Sequence, residues 1–390
     1  MPTTNKKLKY LILGAGPGGL SFANYLKKSG ENSFLVLEKE DEAGGLCRSK
    51  VVDNYPLDIG GGHFLDVRLP EVNEFLFMFM PRHEWNLYNR NSKIQLGKEK
   101  IDHPLEANIW QLNINEQVEY LSSIAKAGCN TEKLKPKTFV EWINWKFGEK
   151  ISKDYMLPYN KKMFGKNLNA IGTYWLEKLP NVSFEETLKS CLEKKFYGQQ
   201  PGHAQFYYPK KYGYGELWLR MAESIKEQIE YNVVVNKLDF KTRKVNDFYR
   251  AENIITTIPW NCIGSYKKLK HTSVQIEYFP NNLKSKAHWI YEPNLDISYH
   301  RILLRNNFCK KSKGYWTETN LERVTQTSCK FKYINEFAYP LNTIDKPKAI
   351  SELLSFAMTK RIFGLGRWGE HQHYNSDVTV QRAINLAKSF

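Results

Sequence analysis

Leu11-Ile12-Leu13-Gly14-Ala15-Gly16-Pro17-Gly18-Gly19-Leu20 carries an apolar strand straight into a glycine loop. Gly14, Gly16 and Gly19 fill the three positions of the G-x-G-x-x-G fingerprint. The first permits a tight turn, the second lets backbone approach a pyrophosphate, and the third lets the next helix pack closely on the strand. A helix N-terminus at that point offers free N–H groups and partial positive charge to phosphates. The fingerprint is weak alone, so its surroundings matter. Tyr10 to Leu13 reads as a strand, and Leu20 to Lys28 as a helix with Leu20, Ala23 and Leu26 on one side. Gly30 is a helix stop. Phe34 to Leu37 is a second apolar strand ending in Glu38, 19 residues beyond Gly19. An acidic side chain there accepts hydrogen bonds from ribose hydroxyls. The four elements agree on a dinucleotide site.

A chain of 390 residues with 42% hydrophobic content has room for two or three domains. No apolar run reaches the roughly 18 residues that span a bilayer, and Met-Pro-Thr-Thr-Asn-Lys-Lys leads into the first strand without a secretory signal. A cytoplasmic protein is expected. The six cysteines lack C-x-x-C spacing, so neither zinc nor a disulfide framework is indicated. The formal charge of +16 calls for an anionic partner. No nucleic-acid motif accompanies it, and a nucleotide substrate or a negative membrane surface explains it as well. Lys267-Lys268, Lys310-Lys311 and Lys313 read as solvated loop charges.

Beyond the first strands lies Glu38-Lys39-Glu40-Asp41-Glu42-Ala43-Gly44-Gly45-Leu46-Cys47-Arg48-Ser49. Its paired glycines permit close approach to a cofactor, and Arg48 is suited to neutralise phosphate. Leu57-Asp58-Ile59 then runs into Gly60, Gly61, Gly62 and His63. Adjacent glycines cost conformational entropy, so they mark a loop that moves or backbone against which something lies flat, such as an isoalloxazine ring. From about Asn108 to Lys195 the pattern is mostly helical. Phe139, Val140, Trp142, Ile143 and Phe147 form a core stripe closed by Gly148. Glu216 to Ile229 carries Leu217, Met221, Ile225 and Ile229 at helical spacing. Val233 to Val235 and Ile254 to Ile258 read as strands, the latter stopped by Pro259. Residues from about Lys270 to Ile344 suggest an antiparallel sheet. Gly364-Leu365-Gly366-Arg367-Trp368-Gly369 precedes a last helix for which Asp377 is the expected N-cap.

In this order the motifs resemble the UDP-galactopyranose mutase family, within the FAD-dependent amine oxidase and protoporphyrinogen oxidase superfamily. The glycine motifs indicate the superfamily. Pro158-Tyr159-Asn160-Lys161, Trp175-Leu176-Glu177-Lys178 and Tyr299-His300-Arg301 point to the mutase. The resemblance implies an α/β fold: a Rossmann-like FAD domain (1–85, 200–265 and 345–390), an inserted helical substrate or lid domain (105–199), and an antiparallel sheet domain (86–104 and 266–344). It implies an isomerase that interconverts the pyranose and furanose forms of UDP-galactose or a related sugar through an adduct on N5 of reduced FAD, in cell-surface polysaccharide synthesis. Arg301 and Lys178 would hold the diphosphate, with lysine standing where the family has an arginine, and His63 would pack on the flavin. Asn160, Tyr159, Phe164, Tyr291, Tyr339 and Tyr374 would line the substrate site, the last in a register shared with His373. Besides the three fingerprint glycines and Glu38, the cofactor would meet Lys39, Gly45, Leu46, Arg48, Gly61, Gly62, Val235, Arg367, Asp377 and Val378. The sugar, the reductant (NADPH or another carrier) and homo-oligomer formation stay open from sequence, and an FAD-dependent oxidase or desaturase is the alternative.

Overall fold

Leu11, Ile12 and Leu13 have no exposed surface. An unbroken apolar run of this kind, rather than an alternating one, marks a strand covered on both faces of a parallel sheet. The computed structural model describes residues 8–165, 167–176 and 182–390. In it, Leu8–Leu13 pairs in parallel with Phe34–Leu37 on one side and with Tyr249–Thr256 on the other. Ile229–Glu230 extends the sheet beyond Phe34–Leu37, and Ile362–Gly364 extends it beyond Tyr249–Thr256, both in parallel. The opening helix, Pro17–Lys28, packs against the final helix, Ser376–Lys388, so elements far apart in sequence close one layer of this unit.

The second large sheet has the order Phe331–Pro340, His271–Phe279, Tyr315–Asn320, Arg301–Leu303, Trp289–Tyr291, Ser92–Leu96, Glu99–Asp102. It is antiparallel except where Trp289–Tyr291 runs parallel to Ser92–Leu96. The helical insert has its own core, in which Ile124, Phe139, Ile143, Phe147, Ile151 and Tyr155 meet. The mixed α/β architecture with a Rossmann-like unit, a helical insert and an antiparallel sheet follows the sequence expectation.

Three local readings need correction. The stripe from Phe139 does not end at Gly148. That residue turns left-handed (φ 73°) and the helix resumes to Ile151. A π turn, Ser152–Met156, then leads into Leu157–Phe164. Gly148 is a bend because any Cβ there would stand 2.5 Å from the Ser123 carbonyl oxygen of the neighbouring helix. The helix expected over 216–229 spans only Gly215–Glu223. The Met221 carbonyl, which a longer helix would use for the Ile225 N–H, accepts from Asn24 Nδ2 (3.0 Å) and Ser224 Oγ (2.7 Å). Ile229 accordingly belongs to a strand. Val233 to Val235 forms no ladder, although the Val233 N–H continues along the sheet edge to the Glu38 carbonyl (2.8 Å).

Candidate active site

The dinucleotide end is shaped by absent side chains. Gly14 adopts φ +99°, and a Cβ on Gly19 would lie 2.0 Å from the Gly14 carbonyl oxygen, so the helix can start this close to the strand only with glycine. Gly16 differs: a Cβ there would meet only the Gly45 Cα, at 3.8 Å. Two bare backbones thus face one another across a narrow gap. Glu38 is buried at the strand end, where its carboxylate accepts from the Ala15 N–H (2.7 Å) and the Glu40 N–H (3.1 Å). Burial raises its pKa, against the pull of those hydrogen bonds. Lys39 is exposed beside Glu40. Arg48 turns toward Glu40 (3.3 Å) and donates to the Gly45 carbonyl and the Tyr333 hydroxyl. Leu46 lies in a short turn, Gly45–Cys47, pressed against Gly60. Val235 is buried in a core cluster with Leu11, Leu13 and Leu37.

From there the site opens into a cleft walled by the antiparallel sheet on one side and by the glycine loop and the segment 367–376 on the other. Gly62, His63, Arg90, His203, Trp289, Tyr291, Arg301, Glu318, Tyr339, Arg367, His373, Asn375 and Ser376 line it. The glycine loop is pinned from below by Asp58. That carboxylate accepts from Ser49 Oγ, the Tyr208 hydroxyl and the Tyr214 N–H. The His63 ring sits over the same loop with Nδ1 3.1 Å from the Gly61 carbonyl oxygen. An N–H must therefore occupy Nδ1, which leaves Nε2 as an acceptor. Burial, aided by the charge of Arg367, pushes the His63 pKa down to about 3, so the imidazole is neutral.

Glu318 is fully buried on Tyr315–Asn320 and joins the two halves of the cleft. Its Oε1 accepts from the Gly62 N–H (2.9 Å), and its Oε2 from Arg301 Nε (2.7 Å). Burial would raise this carboxyl, but Arg301 and the His300 contact outweigh it and hold the pKa at about 2. Arg301 is charged at every relevant pH, and its side chain, which lines the cleft, stays partly exposed (19%). Tyr291 pairs with Arg301 across the ladder. Its hydroxyl accepts from Arg90 Nη2 (3.1 Å), and its ring meets Tyr159 edge-on at 5.3 Å. The ring of Tyr339 lies 4.9 Å from His373 and carries Arg367 over its face.

The predicted residues therefore separate. His63, Arg301, Tyr291, Tyr339 and Arg367 share one cleft, with Tyr159 directly behind Tyr291. Asn160 is buried on the next helical position, its amide donating to the Met156 carbonyl (2.7 Å). Phe164 is buried in the core of the helical insert against Trp175. Of the two registers at the C-terminal segment, His373 faces the cleft, while Tyr374 carries Arg382 over its ring. Lys178 lies outside the described residues. Glu318, Arg90 and His203 escaped sequence reading. Only Glu318 left a signal: a carboxylate amid Tyr-Trp-Thr-Glu-Thr-Asn, at a strand position that should be buried.

The residues present fit an FAD. Arg367 directs its N–H groups to the Tyr374 and Ala338 carbonyls, and no carboxylate pairs with it among the described residues. Burial lowers its pKa, so an anion at this point would be favourable. The final helix begins at Ser376 with Asn375, not Asp377, as its N-cap. Asp377 is nonetheless buried in the first turn, with Oδ1 lacking a partner and a pKa raised to about 6 by burial, then by Asp66. An orphaned acceptor of this kind suits a polyol hydroxyl chain. Val378 follows it, half-buried.

Comparison with known proteins agrees with the fold. Residues 12–77 match the family model of the NAD(P)-binding Rossmann-like domain. Over 98% of the chain, and 96% of the relative, the sequence is 22% identical to UDP-galactopyranose mutase of Mycoplasma pneumoniae. A crystal structure of reduced UDP-galactopyranose mutase superposes with a TM-score of 0.87 at 19% identity, covering 98% of this chain and 93% of that one. The chain has the fold of UDP-galactopyranose mutase. Putrescine oxidase bound to putrescine shares the architecture less closely, with a TM-score of 0.59, 14% identity and 100% and 99% coverage. A match of 49% identity over 53 residues to a Methanothermococcus thermolithotrophicus protein spans half of that protein's length.

Proposed function

We propose that the protein is a flavin-dependent nucleotide-sugar mutase, an isomerase that interconverts the pyranose and furanose forms of UDP-galactose or a closely related sugar. The observation that carries this reading is the Arg301–Glu318–Gly62 connection. It sets a permanently charged guanidinium beside the loop over which an isoalloxazine would lie. Reduced FAD, when bound, supplies an electron-rich N5 able to displace the diphosphate from the anomeric carbon. The work of the protein is electrostatic. Arg301, with Lys178 as its candidate second cation, binds the diphosphate as the glycosidic C–O bond breaks and retains UDP until the sugar has exchanged its ring oxygen. The same bond then re-forms, so no net oxidation occurs. Neutral His63 contributes shape and a hydrogen-bond acceptor, not charge, and Glu318 stays ionised to orient Arg301. Tyr159, Asn160, Tyr291 and Tyr339 would shape the sugar and uridine side, with residues 105–199 as the substrate-closing unit.

The test is a paired incubation of UDP-galactopyranose with dithionite-reduced and with oxidised protein, resolved by chromatography. Furanose product only in the reduced sample is expected. Equal conversion in both rejects a role for reduced flavin, and hydrogen peroxide release from an amine substrate would instead favour the oxidase reading.

A further inference from the structure

At one end of the antiparallel sheet, two loops project together. Residues 280–287 follow the strand His271–Phe279, and residues 304–314 follow Arg301–Leu303. They are tied to one another: the Gly314 N–H donates to Asn282 Oδ1 (2.7 Å), and Asn307 Nδ2 donates to the Ser285 and Ala287 carbonyls. Lys284, Lys286, Lys310, Lys311 and Lys313 all stand exposed on this pair of loops. Neither loop contains an Asp or Glu. The adjacent carboxylate, Asp53, is already paired with Lys330 and accepts from the Tyr278 hydroxyl.

The composition of the patch narrows the partner. Single-stranded nucleic acid is bound through exposed aromatic rings and stacking guanidinium groups. Here Phe308 and Arg305 have no exposed surface, because Arg305 is consumed by the Val52, Tyr55 and Lys313 carbonyls and the Tyr278 hydroxyl. Phe279 and Tyr315, at the loop ends, are half-buried and stacked on each other, and what the loops expose, besides Pro280, Asn281 and Asn282, is ammonium groups on flexible stems. These are hydrated point charges without a fixed fork geometry, and they match a fluid, negatively charged surface better than a shaped groove. We propose that this sheet end docks the protein peripherally on an anionic phospholipid bilayer. The proposal is independent of the mutase reading.

Sedimentation with vesicles tests it. The full chain should pellet with vesicles of phosphatidylglycerol and phosphatidylcholine (3:7, on the order of physiological anionic content) at low salt, and not with pure phosphatidylcholine. Binding should fall steeply as the Debye length shrinks toward about 3 Å in 1 M salt. Each lysine in contact should be worth about fivefold in partition. The variant with Lys284, Lys286, Lys310, Lys311 and Lys313 all changed to Gln should therefore bind at least about 100-fold more weakly. A Lys310→Gln, Lys311→Gln, Lys313→Gln variant serves if the larger one does not fold. Lys267→Gln with Lys268→Gln, at the opposite end of the His271–Phe279 strand, should bind like the parent. Failure of the parent to bind anionic vesicles overturns the proposal, as does undiminished binding by the loop variants. Patch-dependent binding to polyuridylate without vesicle binding would overturn it in favour of nucleic acid.

Discussion

The two ends of the candidate site are built from different materials. At the dinucleotide end, Gly14, Gly16, Gly19 and Gly45 define a cradle by lacking atoms, and strand pairing fixes its shape. At the substrate end the cleft is defined by what side chains supply: Arg301 against Glu318, Tyr291 against Arg90, Tyr339 against His373. A backbone cradle has one workable composition. A side-chain cleft can keep its chemistry while exchanging its parts. The first should fail abruptly on substitution, and the second by separable increments.

The sharpest break should come from Gly19→Ala. Its Cβ would stand 2.0 Å from the Gly14 carbonyl oxygen, which nothing nearby can relieve, so the purified protein should lose flavin and melt at much lower temperature. Gly16→Ala meets no atom closer than 3.8 Å and should keep the melting temperature of the flavin-free protein while losing flavin affinity. Flavin absorbance with thermal melts checks both. A Gly16→Ala protein that binds flavin normally would show that the gap facing Gly45 is not the cofactor path.

On the substrate side, Arg301→Ala should cost roughly 3–5 kcal/mol of stability by denaturant titration, because it leaves the buried Glu318 uncompensated. It should also weaken UDP binding by roughly 1.5–3 kcal/mol, the usual range for a charge-assisted contact. Adding Glu318→Gln should restore most of the stability and none of the UDP affinity. If calorimetry finds UDP affinity unchanged in Arg301→Ala, the residue does not hold the diphosphate.

A further effect is a pH dependence. The Glu318 carboxyl is depressed to about 2 in the folded protein, below its usual unfolded value of about 4.3. A group lowered by folding stabilises above its unfolded pKa and loses that contribution as pH falls toward the folded one. Between roughly pH 5 and 2 the parent should lose about 3 kcal/mol that the Glu318→Gln variant does not lose. Identical acid profiles would show that the pair contributes nothing net.

The same contrast explains what could be read beforehand. Gly14, Gly16, Gly19 and Glu38 follow a spacing rule within one strand–turn–helix unit, so their roles are visible in 28 consecutive residues, from Leu11 to Glu38. Glu318 and Gly62 are 256 positions apart and meet only because a sheet strand crosses beneath the loop. No local pattern encodes that meeting. The misread helix after Gly215 has a similar origin. Ile225 and Ile229 continue a helical spacing, but Asn24, 197 positions from Met221, takes the carbonyl that the helix needed. Burial kept the apolar pattern while tertiary hydrogen bonding changed the backbone. Tyr374 and His373 differ by one position in an irregular segment, where no periodicity decides which ring turns inward.

Pairing of Leu8–Leu13 with Tyr249–Thr256, and of the opening helix with the closing one, has a consequence for biogenesis. Once Leu8–Leu13 has left the ribosome, the chain must grow as far as Tyr249–Thr256 before the strand's central neighbour exists, and further still before Arg367 and Asp377 arrive. During that interval its apolar faces are open to solvent and to chaperones. Flavin capture should therefore be a late, post-translational event that seals the assembly, rather than a nucleus around which the nascent chain condenses.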